Sequence, residues 1–566
     1  MATKFTQVLR ALPAKLMIEG TGKRSLETAH QRVVIAGVLF AVCFLVVGMR
    51  AVEVTMLREP HEPKLSTAPK SDGREFARAD IVDRNDVLLA TSLVTASLYA
   101  NPRLLLDPGD AAAKLTRTLP GLNESELRQR FQSERSFVWI KRNLTPRQQY
   151  LVNRLGIPGV FFQREERRVY PHGTLTGHIV GFTDIDNRGL AGVEQSLDET
   201  LRGASEPLRL SIDIRLQHAL REELARTVEE FHAEGAAGVV LDVRTGETLA
   251  MVSLPDFDAN NPALAPPETR FNRATLGTYE PGSTFKIFTA AMALDYGTAT
   301  LRDGYDATRP IQVSRFVISD YKPQRRWLSI PEIIQYSSNI GAVKMAVDVG
   351  TTRQRQFLGR LGLLKAPAIE LPEVAAPLAP QPWREINTMT VAFGHGISIS
   401  PLQLVQATAA VVNGGILRPV TILRRPDDEP PPGERVMAPR TSDQVRQLMR
   451  LVVEKGTGKA ANVPGFLVGG KTGTAEKNQH GAYKKNAIIS SFVGAFPMND
   501  PRYAVLVMVD EPKGNKTTFG YATGGWTAAP AVGRMVSRIS SILGVEPIDD
   551  SLPTPVNQLV LSAAKR

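Results

Sequence analysis

A chain of 566 residues corresponds to between three and four domains at about 150 residues each. Its 43% hydrophobic and 22% charged residues are globular proportions, which excludes a wholly disordered, collagenous or many-span membrane protein. One cysteine rules out an intrachain disulfide framework and a thiolate zinc cluster, eight histidines without an H-E-x-x-H spacing give no support to a metalloenzyme, and a net charge of +11 on this length does not by itself imply nucleic acid.

The amino-terminal tail, residues 1–32, carries Lys4, Arg10, Lys15, Lys23, Arg24 and Arg32 against Glu19 and Glu27, so +4 of the +11 sits there. It is followed by VVIAGVLFAVCFLVVGM, Val33 to Met49, which has no charged or strongly polar side chain. The length approaches a bilayer core and no polar face interrupts it, so a single uncleaved transmembrane helix is expected over 33–54. A cleaved signal peptide is the alternative, but the stretch before the apolar run is long and no A-x-A site follows. The basic flank places residues 1–32 in the cytoplasm and the remainder outside, and Cys43 reads as a packing residue within the span.

Residues 55–74 read as a linker, proline-rich and polar in REPHEPKLSTAPKSDGR (58–74). A mixed segment, 75–205, opens with strand-like ARADIVDRNDVLLATS and continues into helical patterns at 110–119 and 124–132. From 206 to 546 the pattern changes. A short strand, an Asp213 cap and a long amphipathic helix precede two strands joined at Arg244-Thr245-Gly246. Apolar runs at Asn486–Phe496 and Tyr503–Pro512 look like sheet-core strands, and the sequence between is mostly helical. Strands at both ends with helices between predict an α+β arrangement, an antiparallel sheet covered by helices. The proline-rich stretch 425–433 is expected as a surface turn, and residues 547–566 form a tail without readable structure.

Three motifs carry chemistry. Ser-x-x-Lys occurs at Ser283/Lys286, Ser319/Lys322 and Ser562/Lys565, whereas Ser-x-Asn (Ser337-Ser338-Asn339) and Lys-Thr-Gly (Lys471-Thr472-Gly473) each occur once. Ser562 lies in the tail and Ser319 has no helical start around it. Ser283 follows Glu-Pro-Gly and opens STFKIFTAAMALD, which reads as an amphipathic helix, so it is the candidate nucleophile. Positions i and i+3 share a helix face, which brings the Lys286 amine to the Ser283 hydroxyl as general base. A lysine serves as a base only if burial and a second cation lower its pKa, and Lys471 is placed to be that cation. Ser337 is then a proton relay to the leaving amine, and the Asn339 amide holds Lys286 and a substrate peptide group. FLVGGKTGTAEK has the character of an edge strand. Gly473 would let an extended peptide lie along it, Thr472 and Thr474 suit a terminal carboxylate, and the backbone N–H groups of Ser283 and Thr474 are candidates for an oxyanion hole.

Ser-x-x-Lys, a Ser-x-Asn element and Lys-Thr-Gly in this order are the motif set of penicillin-binding proteins and serine β-lactamases. With ADIVDRNDVLLA (79–90), RRVYPHGTLTGHIVGF and GLAGVEQSLDETLRG (within 167–203), FNRATLGTYEPGSTFK, FGHGISISPLQL (393–404) and VVEKGTGKAA (452–461), the chain resembles the class B penicillin-binding proteins, nearest their division-specific members. The family usually has glycine where Ala79 and Asp86 stand, which questions the turn geometry there. The resemblance implies a non-catalytic pedestal over 75–205 and a serine β-lactamase-like transpeptidase domain over 206–546. It also implies cross-linking of septal peptidoglycan stem peptides through an acyl-enzyme on Ser283, acylation by β-lactams, and divisome partners including a glycan polymerase of the FtsW type. Localisation would be the inner membrane with a periplasmic catalytic domain. No metal or organic cofactor and no nucleic acid is implied. An elongation-specific transpeptidase, a secreted β-lactamase and a membrane-tethered β-lactam sensor or divisome scaffold are the competing readings. His395 reads as a loop residue able to line the cleft, and Arg164, Arg167 and Arg168 as a solvated charge cluster.

Overall fold

The structure, a computed structural model, describes residues 37–49, 78–313, 316–426, 431–479 and 482–549. The chain divides into two compact units, Met1–Glu75 and Phe76–Arg566. In the first, residues 37–49 are helical and exposed, Cys43 among them. No helix among the described residues is long and apolar enough to cross a membrane. The expected span reaches beyond that helix at both ends, and the expected tail 1–32, the linker 55–74 and residues 550–566 lie outside the described residues.

The second unit begins with a five-stranded sheet built from β1 (Ile81–Val82), β2 (Leu88–Ala100), β3 (Val138–Leu144), β4 (Val160–Val169) and β5 (Leu208–Arg209). The central β2 pairs antiparallel with β1, β3 and β4. Helices Pro108–Thr118 and Glu124–Phe131, capped by Asp107 and Asn123, close an apolar cluster with Leu98 and Ile140. Both helices fall where the periodicity predicts them. In the β1–β2 turn Asp83 accepts the N–H groups of Asn85 and Val87, and Asp86 adopts φ 64°. That left-handed conformation is one for which glycine is the default and aspartate is tolerated, so the substitution leaves the turn intact.

The charge cluster on β4 divides. Arg164 and Arg167 are exposed, as a solvated cluster would be. Arg168 is buried instead. Its Nε donates to Glu194 (2.7 Å) and its guanidinium to the carbonyls of Arg78 and Ala79, while Arg78 takes the other Glu194 oxygen. At this end of the sheet the segment bearing Glu194 covers the strand, and a buried guanidinium requires that carboxylate.

The catalytic-type architecture follows: α1 (Ile214–Glu230), β6 (Gly235–Asp242), β7 (Thr248–Leu254), α2 (Lys286–Asp295), α3 (Ile330–Tyr336), α4 (Asn339–Val349), α5 (Pro401–Val412), α6 (Pro439–Lys455), β8 (Gly469–Gln479), β9 (Ala482–Phe496), β10 (Tyr503–Asp510) and α7 (Ala528–Ile542). The five strands run in the order β8-β9-β10-β6-β7, all antiparallel. Alternate residues serve two cores. Val240, Val505 and Val507 pack with Leu216 and Leu220 of α1 and Val532 and Val536 of α7, while Val239, Leu506 and Met508 pack with Phe288 of α2 and Val405 of α5. A sheet covered on both faces explains why its strands read as unbroken apolar runs rather than alternating ones. Ile81, Leu89 and Val193 from the amino-terminal part share the second of these cores, so the two parts form one packed unit. The proline-rich stretch sits between the paired strands Ile416–Leu417 and Glu434–Arg435, with 427–430 outside the described residues.

One element departs from expectation. The helix after Ser283 is not amphipathic: a short 3₁₀ turn, Gly282–Phe285, leads into α2, whose residues from Lys286 to Ala293 are all buried. The polar side chains that suggest a wet face have partners inside, Thr289 donating to the carbonyl of Ala392 at 2.7 Å.

Candidate active site

Three separated segments meet at the amino end of α2. The first is the turn carrying Ser283. Gly282 has φ +56°, and a Cβ there would lie 2.8 Å from the carbonyl oxygen of Thr474 and 3.3 Å from its nitrogen. Gly394, at φ +81°, would place a Cβ 2.2 Å from the Gly282 carbonyl oxygen. These two glycines allow the serine turn to press against the Lys-Thr-Gly strand on one side and the 393–396 loop on the other. Ser283 itself is half-buried.

The second segment, Ser337 to Asn339, closes on the side chain of Lys286, one turn beyond Ser283. Its Nζ is fully buried, donates to the carbonyl of Ser337 (2.8 Å) and to Oδ1 of Asn339 (2.7 Å), and lies 2.9 Å from Ser283 Oγ and 3.1 Å from Ser337 Oγ. Burial first, then the charge of Lys471, hold the amine well below the ordinary lysine range, with Asp320 opposing them. Ser337 ends α3 in the left-handed conformation, φ 61° and ψ 44°, which costs a serine about 1–3 kcal/mol and is the backbone geometry that turns both its carbonyl and its hydroxyl toward Lys286. Asn339 opens α4, and its Nδ2 donates to the carbonyl of Ser319 at 2.9 Å.

The third segment is β8, the sheet edge, as the sequence predicts. Lys471 is buried and donates to Ser337 Oγ (2.9 Å) and to the carbonyl of Thr472 (3.1 Å). Burial lowers it to about 7. The two lysines thus meet at one serine hydroxyl, and charging either disfavours charging the other. Thr472 Oγ1 contacts Thr457 Oγ1 at 2.7 Å, and Thr474 Oγ1 donates to the Gly473 carbonyl and accepts from Gly524 N–H. Gly473 has a different reason from the expected one. A Cβ would meet Ser491 Oγ at 2.4 Å and the Pro281 carbonyl at 2.8 Å, so its missing side chain makes room for the serine turn behind the strand rather than for a peptide in front of it.

All eight expected site residues therefore assemble in one place. The sequence reading missed two carboxylates. Glu280 accepts the N–H of Gly396 (2.9 Å) and lies 3.2 Å from His395 Nδ1, tying the loop to the segment before Ser283. Burial first, then Lys286, push His395 down to about 4, so it is neutral near pH 7. Asp320 binds the Ser-x-Asn turn. Its one sequence signal is its place beside Ser319, in a Ser-x-x-Lys pattern set aside for the nucleophile. Glu234, Asp510 and Glu511 are the described carboxylates close enough to share a metal ion, but Lys477 and Lys484 already pair with them.

Comparison with known proteins gives a consistent result. Residues 236–535 match the family described as the penicillin binding protein transpeptidase domain, and residues 75–215 the penicillin-binding protein dimerisation domain. The chain is 44% identical over 490 residues to a probable peptidoglycan D,D-transpeptidase FtsI of Caulobacter vibrioides, covering 84% of this chain and 83% of that one. It is 31% identical over 512 residues to the peptidoglycan D,D-transpeptidase FtsI of Escherichia coli, covering 84% and 85%. Among solved structures, the transpeptidase domain of Burkholderia pseudomallei penicillin-binding protein 3 aligns at 36% identity and TM-score 0.54, covering 61% of this chain and 98% of that one. Penicillin-binding protein 3 of Mycobacterium tuberculosis, complexed with aztreonam, shares the fold at 24% identity and TM-score 0.66, over 83% and 97%.

The arrangement of the two lysines makes a testable demand. Removing the Lys471 cation raises the Lys286 pKa, so Lys471→Ala is expected to shift the acid limb of the acylation rate to higher pH and to slow acylation by about 10²-fold or more. The pH dependence of acylation by a chromogenic β-lactam reads both; an unmoved limb contradicts the electrostatic account.

Proposed function

The chain belongs to the class B penicillin-binding proteins, and from that premise we propose that it is the septal peptidoglycan D,D-transpeptidase of its cell. The observation that carries the reading is the setting of the Lys286 amine. Two of its neighbours, the Ser337 carbonyl and Asn339 Oδ1, can only accept, so they take two N–H groups. In the neutral amine, which burial favours, the lone pair is left for the Ser283 hydroxyl at 2.9 Å.

Acylation then runs as follows. Lys286 takes the Ser283 proton as Oγ attacks the carbonyl carbon of the penultimate D-Ala of a donor stem. The N–H groups of Ser283 and Thr474, on backbones that the Gly282 contact brings together, receive the developing oxyanion. Ser337, bonded to Lys471 and beside Lys286, passes a proton to the departing D-Ala nitrogen. The C–N bond breaks and an ester on Ser283 remains. The amine of a neighbouring stem attacks that ester, its proton returns through the same groups to Ser283 Oγ, and a cross-link forms. The second N–H of Asn339 and the hydroxyls of Thr472 and Thr474 serve the donor's peptide group and terminal carboxylate. A β-lactam enters the same first step and leaves a stable acyl-enzyme.

Residues 33–54 anchor the protein in the inner membrane with residues 1–32 in the cytoplasm and the catalytic part in the periplasm; the uncharged run and its basic flank support this. Residues 75–205 act as a pedestal that contacts divisome proteins, an FtsW-type polymerase among them. The domain limits 75–205 and 206–546 accompany this reading.

A fluorescent penicillin is expected to label the full-length protein covalently, with labelling abolished in Ser283→Ala; a labelled Ser283→Ala protein contradicts the site. Depletion from growing cells is expected to produce filaments, whereas rounding would contradict a septal role and point to elongation.

A further inference from the structure

Ser319 lacks the helical start that a nucleophile needs, yet its Ser-x-x-Lys motif lies against the site. The residue pair Ser319-Asp320 follows the short strand Phe316–Ile318 and reaches across to the beginning of α4. Asp320 is buried, at 8% exposure. Its Oδ1 accepts the backbone N–H groups of Asn339 (2.6 Å) and Ile340 (3.0 Å), and its Oδ2 accepts the Ser338 hydroxyl (2.8 Å). Ser338 in turn caps Gly341 N–H at 3.0 Å. One carboxylate, 19 residues upstream of Asn339, thus holds the first turn of α4 by three hydrogen bonds.

We propose that Ser319 and Asp320 form a positioning device for the transpeptidation reaction, with Asp320 fixing the turn that carries Ser337 and Asn339 and the Ser319 carbonyl fixing which end of the Asn339 amide meets Lys286. Donors and acceptors set the orientation of the Asn339 amide. The Ser319 carbonyl can only accept, so it takes Asn339 Nδ2 and leaves Oδ1 toward the Lys286 amine. A flipped amide would set N–H₂ against a donating amine and oxygen against a carbonyl, losing both contacts. The left-handed Ser337 lies between the end of α3 and the turn that Asp320 grips. Releasing that turn frees Ser337 to relax, and its carbonyl and hydroxyl leave Lys286 together.

Asp320 also has an electrostatic part. Lys286 is faced by Lys471 from β8 and by Asp320 from the segment before α3, and the 393–396 loop adds His395, which is itself paired with Glu280. Lys471 disfavours the ammonium form and Asp320 favours it. Removing the Asp320 charge while keeping its shape therefore lowers the Lys286 pKa further, and the acid limb of acylation moves to lower pH, opposite in sign to the effect of removing Lys471. A carboxylate that merely capped α4 would affect melting and leave that limb in place.

This inference rests on the transpeptidase reading, and the experiment separates the two. Acylation of full-length wild-type and Asp320→Asn proteins by a fluorescent penicillin is followed from pH 5 to 9, with thermal melting in parallel. The expected result for Asp320→Asn is acylation slowed by about tenfold or more from misplacement of Ser337 and Asn339. Its acid limb is expected lower by about one unit. A folded Asp320→Asn protein with the wild-type rate and limb overturns the proposal and leaves the transpeptidase reading standing. A wild-type protein that takes no label overturns that reading, and the proposal with it. Should Asp320→Asn fail to fold, Ser338→Ala, which removes one of the three bonds and no charge, is expected to slow acylation about threefold with the limb unmoved; an unchanged rate in that variant overturns the proposal.

Discussion

A lysine amine removed from water must either be compensated by other charges or give up its own, and the burial of Lys286 sets that condition for the whole site. No carboxylate among the described residues touches its Nζ. Around it stand a backbone carbonyl, an amide oxygen and two hydroxyls, a shell that supports a neutral amine better than an ammonium ion. The second cation, Lys471, approaches no closer than the shared Ser337 hydroxyl and pushes in the same direction. The nearby carboxylate, Asp320, accepts from the Ser338 hydroxyl and from the backbone at the start of α4 instead.

The architecture exists to hold that shell. α2 is buried on all sides between the sheet and helices of the second core, which fixes Lys286 and excludes water from its stem. β8 must remain a sheet edge so that its open side faces solvent, while Gly473 lets its inner side close on the serine turn. Gly282 and Gly394 remove the side chains that would hold the strand, the turn and the loop apart. A left-handed serine at the end of α3 is the strained element, and the bonds to α4 and to both lysines over-determine it, as strain at functional sites requires.

Much of this was readable in the chain because chemistry and periodicity are local. The order Ser283/Lys286, Ser337/Asn339, Lys471/Gly473 selected, from competing motifs, three segments that the fold brings together, and the apolar runs located β9 and β10. What failed to show depends on distant segments. α2 looked amphipathic because Lys286 and Thr289 are polar, and nothing nearby in sequence reveals that Ser337, Asn339 and Ala392 cover them. Arg168 looked solvated because its partner Glu194 lies 26 residues away on another element. Gly473 had a correct location and the wrong reason, since the atoms that exclude its side chain belong to Pro281 and Ser491. Asp320 carries no motif of its own and acquires meaning only from the turn it grips.

The most direct test of the account is the protonation state of Lys286 itself. Lysine labelled with ¹³C at Cε, with the Lys286 signal assigned by its loss in Lys286→Ala, lets that amine be titrated by NMR in the intact protein. The account predicts a signal that titrates well below the ordinary lysine range. A Lys286 signal that titrates in the ordinary lysine range, near about 10.4, would contradict it.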